Sequence, residues 1–333
     1  MLRGRYDARA HLGESACRRD DRHRWLPRLR SHPMSAPLMM VCATFLFASM
    51  GVCVKLASAW YGTGEIVMYR GLIGLLLMGA LTRWQGVSLR TTVPGMHFWR
   101  SISGVTALCL WFYSISGLPL ATGMTLNYMS SVWMALFLIG GAVMVGGSRV
   151  DGRLVATVLA GFVGVALILR PTIDGSQLWY GLIGLLSGVL SAMAYLQITA
   201  LGRIGEPEGR VVFYFSCGGM LAGALLTVLL GSFHDHTVEG ALMLLAAGLS
   251  ATGAQWLMTR AYAIGRPLVN ASLNYLGIAF AFVYSVLLFD DPVHWMSVAG
   301  MLMVVVAGIA AARLRQRRHD QTGGPDTLSP EIE

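Results

Sequence analysis

Charge is what this sequence most lacks. Only 13% of its 333 residues are Asp, Glu, Lys or Arg, whereas 55% are hydrophobic and the mean hydropathy is +0.60. A soluble domain carries about 25% charged residues, so this chain has too little polar surface to meet water on all sides. The charge it has is uneven: the first 35 residues and the last 20 are basic and polar, and the middle is nearly neutral. Paired cysteines are missing too. Cys17, Cys42, Cys53, Cys109 and Cys217 form no CxxC motif and four of them lie in apolar runs, which reads as small packing residues without a disulfide framework. No enzyme signature is present. His234 and His236 around Asp235 could hold a metal weakly, but a solvated loop is the simpler reading, and no metal or cofactor is expected. No Gly-rich phosphate loop leads into a helix with Lys-Ser/Thr, so nothing supports ATP drive. The basic tails do not form a nucleic-acid module. No cleavable signal is evident, because the first apolar run follows a long polar tail and is long enough to span.

What the sequence has is long apolar runs, at about 36–59, 64–82, 97–117, 121–146, 151–170, 178–200, 209–231, 239–262, 267–289 and 293–312. A helix needs about 20 residues to cross the hydrocarbon layer. With no water at that depth a helix satisfies its own backbone, whereas barrel strands would alternate apolar and polar positions, which these runs do not. The expectation is an all-α integral membrane protein with ten transmembrane helices. Residues 1–35, with nine arginines, Pro27 and Pro33, read as a basic, disordered cytoplasmic tail, and 314–333 as a polar one. Met34, directly before the first run, is an alternative start. With the N-terminus cytoplasmic, the basic residues concentrate on that side, Arg83, Arg90 and Arg100 among them. Arg170 stands alone on the other side, and Lys55, Arg70 and Arg260 lie within helices. Both termini are then cytoplasmic.

One crossing is written twice. Tyr113 leads through Pro119 to Leu126-Asn127-Tyr128, and Tyr262 leads through Pro267 to Leu273-Asn274-Tyr275. The repeat divides the chain into five-helix halves, 36–171 and 176–313. Five is odd, so the second half crosses with opposite polarity. Inverted repeats are a recurrent plan of alternating-access carriers, with the substrate site at their interface near the midplane. The glycines shared by the fifth and tenth runs read as close-packing positions.

Particular residues resemble the EamA-type branch of the drug/metabolite transporter superfamily, over about 36–313. They are Gly51-Val-Cys-Val-Lys55, Glu65-Ile-Val-Met-Tyr-Arg70, Trp111-Phe-Tyr113 with Leu118-Pro119-Leu-Ala121, and Gly164-Val-Ala-Leu-Ile-Leu-Arg170-Pro171. Two departures stand out. Ser131 and Gly277, or their neighbours, replace a proline frequent in the family, and Gly146-Gly147 and Asp290-Asp291 replace its Gly-Glu pair. The resemblance implies a ten-helix secondary carrier of the bacterial inner membrane, moving small organic metabolites or drugs, most often outward. An importer of a nucleoside-like cofactor or vitamin, S-adenosylmethionine-like or riboflavin-like, is the alternative. A homodimer stays open. A membrane enzyme acting on lipid-linked substrates is remote, since only Asp290, Asp291 and His294 cluster as acid, base or ligand groups.

The intramembrane cations are the candidate site. A charge inside the bilayer costs at least about 2.5–3.5 kcal/mol. Lys55, Arg70 and Arg260 have no basic counterpart in the other half: Phe215 stands opposite Arg70, Gln197 near the position opposite Lys55, and a Leu or Trp opposite Arg260. A scaffold requirement would tend to recur, so substrate or gating duty is the sharper reading. The structural alternatives are an Arg70–Glu65 ion pair, Lys55 snorkelling to the outer interface, and Arg260 reaching the cytoplasmic interface. Asn127 and Asn274 occur in both halves as cross-helix hydrogen-bonding groups that could touch substrate. Trp111, Tyr113, Tyr128, Tyr275 and Trp256 would supply flat apolar walls, with Gln197, Tyr195 and Gln255 as further polar groups. Trp60, Tyr61, Trp179, Tyr180 and Trp295 read as interface belts. The expected cargo is anionic or zwitterionic and partly apolar. With no carboxylate at mid-helix, exchange or facilitated flow is expected over proton drive.

Overall fold

The structure, a computed structural model, describes residues 34–144, scattered positions within 153–167, and 175–231, 233–265, 270, 273–290 and 294–321. No strand occurs among them. Among the described residues ten helices are bounded: α1 (Ala36–Ala57), α2 (Thr63–Trp84), α3 (Pro94–Gly117), α4 (Leu120–Tyr128), α5 (Ser130–Met144), α6 (Gly175–Arg203), α7 (Glu208–Leu230), α8 (Val238–Ile264), α9 (Leu276–Phe289) and α10 (Trp295–Gln321). Proline sets several of the starts. Pro37 and Pro94 occupy the first turns of α1 and α3, where a missing N–H costs no helical bond, and Pro119 and Pro207 directly precede α4 and α7. Thr237 caps α8, its hydroxyl accepting from the Gly240 N–H at 3.1 Å.

Five of these helices are long and apolar enough to cross a membrane: α1, α2, α6 over Gln177–Arg203, α7 and α8. Helix α9 and the Trp295–Ala307 part of α10 are shorter apolar helices. Helix α3 has the length, 24 residues, but His97, Arg100 and its serines make it more polar. The expected fourth and ninth spans are interrupted. A turn at Met129 separates α4 from α5, and a turn at Tyr275 precedes α9, so both copies of Leu-Asn-Tyr stand at a break. Helix α10 continues to Gln321, past the expected end at 313. The tail 1–33, Arg149, Arg170, Arg266 and the Pro267 turn lie outside the described residues.

The most extensive packing pairs α2 with α7, α1 with α8 and α3 with α6; α2 with α8, α1 with α9 and α3 with α7 come next. Glycine makes the first contact possible. A Cβ on Gly71 would collide with the backbone nitrogen of Met220, and one on Gly223 with that of Met68, so α2 and α7 touch backbone to backbone. Gly164, in the fifth apolar run, also lies close to α10: a Cβ there would sit 2.9 Å from the Gly300 carbonyl oxygen. The buried face of α1, with Met40, Ala43, Phe47 and Met50, meets Ala247, Ala251, Ala254 and Met258 of α8. On α7 the opposite face exposes Leu221, Leu225, Val228 and Leu229, an apolar stripe suited to lipid.

Candidate functional site

Seven of these helices line a small cavity. Phe47 comes from α1, Arg70 from α2, and Arg100, Gly104, Leu108 and Trp111 from α3. Asn127 and Tyr128 come from the end of α4, Ser191, Ala194 and Tyr195 from α6, Phe215 from α7, and Gln255 and Met258 from α8. The cavity volume is about 50 Å3. That holds a few water molecules, whereas ligand pockets run to about 300–1,000 Å3. The conformer is contracted around its polar groups, and admitting a metabolite requires the helices to part.

Two buried guanidiniums dominate the lining. Arg70 is 4% exposed and Arg100 2%. Both lie against one ring: the Arg70 Cζ is 5.2 Å and the Arg100 Cζ 4.2 Å from the Phe215 centroid. Gly104, one turn beyond Arg100, leaves the space its guanidinium occupies, since a Cβ there would overlap the Arg100 Nη1. Among the described residues neither arginine has an ion pair or a hydrogen bond, and Nε of Arg70 and Nε and Nη1 of Arg100 are buried without a partner. A cation–π contact returns about 0.5–2 kcal/mol, less than burying the charge costs. The site is therefore electropositive. Its neighbours add donors: the Trp111 indole N–H and the Tyr128 hydroxyl are buried and unpartnered. Asn127 is fixed, its Nδ2 donating to Ser187 Oγ at 3.0 Å and Ser191 Oγ at 3.1 Å. Converging donors with two uncompensated positive charges are the chemistry of an anion site.

The buried carboxylates Glu65 and Glu206 lie at the two ends of the bundle, and each is engaged. Glu65, 1% exposed, accepts from the Gly62 N–H at 3.3 Å and the His234 N–H at 2.9 Å, with the His234 Nδ1 at 2.6 Å. His236 adds contacts to Tyr69, at 2.7 Å, and Tyr61, at 3.2 Å. The expected solvated loop is thus a clasp on α2, and the Arg70–Glu65 pair does not form. At the other end, Glu206 accepts from the Thr91 hydroxyl and from Arg210 Nη1 at 2.5 Å, with His97 Nε2 at 3.4 Å. Burial raises the Glu206 carboxyl, but the hydrogen bonds from Thr91, Arg210 and His97 outweigh it and hold the group below its usual range. Arg210 also donates from Nε and Nη2 to the Ser88 carbonyl, at 2.9 and 2.6 Å, tying the α2–α3 loop to α7.

Of the sequence candidates, Arg70, Trp111, Asn127, Tyr128, Tyr195 and Gln255 line the cavity together. The others stand elsewhere. Tyr113 is 37% exposed and packs on Tyr180, with ring centroids 4.9 Å apart. Lys55 donates to the Leu118 carbonyl at 2.8 Å and lies 5.0 Å from the Phe289 centroid. Arg260 is 3.8 Å from Glu208 and 5.8 Å from the Trp256 ring. Gln197 Oε1 accepts from Ser103 at 2.8 Å. Asn274 and Tyr275 are buried at the α9 break. Arg100, which the charge pattern places with the cytoplasmic-side cations, is instead buried deep in α3. Its signal was its place inside the third apolar run, one turn before a glycine.

No family model matches the chain. The pseudopaline exporter CntI of Pseudomonas aeruginosa is 32% identical over 286 residues, 85% of this chain and 97% of that protein. The chain is an EamA-type member of the drug/metabolite transporter superfamily. Other relatives of this transporter include a riboflavin transporter of Vibrio cholerae, 27% identical over 71% of this chain and 78% of its own. Another is the human solute carrier family 35 member G1, 24% identical over 64% and 60%. A crystal structure shares the fold with TM-score 0.62, covering 84% of this transporter and 98% of that chain at 17% identity.

Proposed function

We propose that the transporter is a secondary exporter of a small organic anion or zwitterion, working by alternating access in the inner membrane with both termini cytoplasmic. The observation that carries this reading is the pair Arg70 and Arg100, buried without partners on one cavity among apolar and aromatic walls. Direction rests on the relative named as an exporter. Two inverted halves, 36–171 and 176–313, supply the moving parts. What supports them is the exchange of α1 with α6, α2 with α7 and α3 with α8. It carries the α2–α7 contact onto itself, α1–α8 onto α6–α3, and α2–α8 onto α7–α3, all of which occur. Arg70 and Phe215, paired in that register, touch, as residues on a pseudo-twofold axis would. Opening one side parts the helices around the contracted cavity, and Arg70, Arg100, Trp111, Asn127 and Tyr128 meet the cargo. Lys55, Arg260, Trp256, Gln197, Asn274 and Tyr275 hold the helices that move. Among the described residues no carboxylate lines the cavity, which favours exchange or facilitated flow.

Import of a riboflavin-like vitamin is the second reading, favoured by the riboflavin transporters among the relatives and by the ring faces of Trp111, Tyr195 and Phe215. An S-adenosylmethionine-like cargo fits less well, since its sulfonium would meet two guanidiniums. For a lipid-acting enzyme the support weakens: Asp290 is the α9 C-cap in the left-handed region at φ 48°, a capping turn. The test is untargeted mass spectrometry of cells and medium with wild type, Arg70→Ala or no transporter. Export predicts an acidic metabolite enriched in the medium with wild type alone. Enrichment inside the cells replaces export with import, and no change in either compartment removes the transport reading.

A further inference from the structure

We infer that the cargo carries at least two acidic groups, one for each guanidinium. The inference rests on the proposed transport of an anion or zwitterion through this cavity and goes beyond it, because a single carboxylate would satisfy that reading. Three observations lead here. First, the two charges share one place: both Cζ atoms face the Phe215 ring, at 5.2 and 4.2 Å, so they are no further apart than those distances together. One small molecule reaches both.

Second, neither charge has a partner to spare it. The buried carboxylates that could have compensated them are committed, Glu65 to His234 and Glu206 to Thr91 and Arg210. A monoanion would leave one of two close, buried cations uncompensated, whereas a dianion neutralises both. Two guanidiniums also offer more N–H donors than one carboxylate has lone pairs, and each fork suits a carboxylate edge bidentately. Third, the second cation is built in. Gly104 clears the volume that the Arg100 guanidinium fills, so its position is a property of α3 and not of a stray rotamer. Phe47, Leu108 and Met258 add apolar walls that would carry the backbone joining the two acids.

The experiment is calorimetric titration of the purified full chain in detergent with succinate, glutarate and phthalate, each beside its own monoamide. The pairs match in size and differ by one negative charge. At least one diacid is expected to bind tenfold or more tightly than its monoamide. Arg70→Gln and Arg100→Gln should each erase that preference, and Gly104→Ala, which displaces Arg100 without removing a charge, should weaken it. Monoamides binding as tightly as their parents overturn the two-acid claim while leaving an anion carrier in place, and so does failure of every probe to bind. Loss of the wild-type export signal in cells would instead remove the transport reading itself.

Discussion

At the two ends of the helix bundle the buried carboxylates have partners; in its middle two buried arginines have no ion pair or hydrogen bond among the described residues. Glu65 is held by Gly62 and His234, and Glu206 by Thr91 and Arg210. Arg70 and Arg100 share only the face of Phe215. The difference separates charges that tie loops to helices from charges kept for something not part of the chain. A fold that only needed stability would have paired or deleted the central cations, because an unpartnered buried charge opposes folding.

The comparison breaks most visibly in flux. Arg70→Gln or Arg100→Gln is expected to lower export roughly 100-fold, the loss of one charged contact to cargo. The same variants should raise the melting temperature of the empty protein in detergent by about a few degrees. Lower stability together with full export would show that the arginines belong to the frame. Glu206→Gln should act in the opposite sense. It leaves export chemistry alone and destabilises the fold by about 1–3 kcal/mol, read as a lower melting temperature. Acid sharpens this. The Glu206 carboxyl is held down, so its contribution is complete above the ordinary glutamate pKa of about 4.3 and fades as pH falls through the lower folded value. The variant should lack that component of acid-induced loss.

Smaller effects fall on the opposite end and on the paired cations. His234→Ala removes the ring from Glu65 but keeps the backbone N–H that also reaches it, so the expected loss is about 1 kcal/mol. Arg260→Gln severs a half-exposed contact of 3.8 Å to Glu208. Export is expected to stay within about twofold of wild type, as for surface pairs in general. A large loss there would move Arg260 from the frame to the cargo path.

Much of the fold was legible because the bilayer imposes run length directly: the starts of α1, α2 and α7 fall close to the apolar boundaries. The duplicated Leu-Asn-Tyr was legible as a repeat, though not that each copy stands at a break in an expected span, and the register of the two halves set Arg70 opposite Phe215, which it touches. Arg100 escaped because its position near the start of a run resembles a loop cation of the positive-inside kind; its burial is a matter of which face of α3 it occupies. Tyr113 went astray for the same reason. Residues two apart on a helix do not share a face, so with Trp111 turned to the cavity Tyr113 points away. The clasp between Glu65 and His234 spans two distant segments, and no local pattern announces it.

Both guanidiniums rest on a single ring, and that has a bearing on redesign. Phe215 is a lone hinge for selectivity: a smaller residue there frees two charges at once, and a broader aromatic spreads them, so one codon could retune what the carrier accepts without touching either cation.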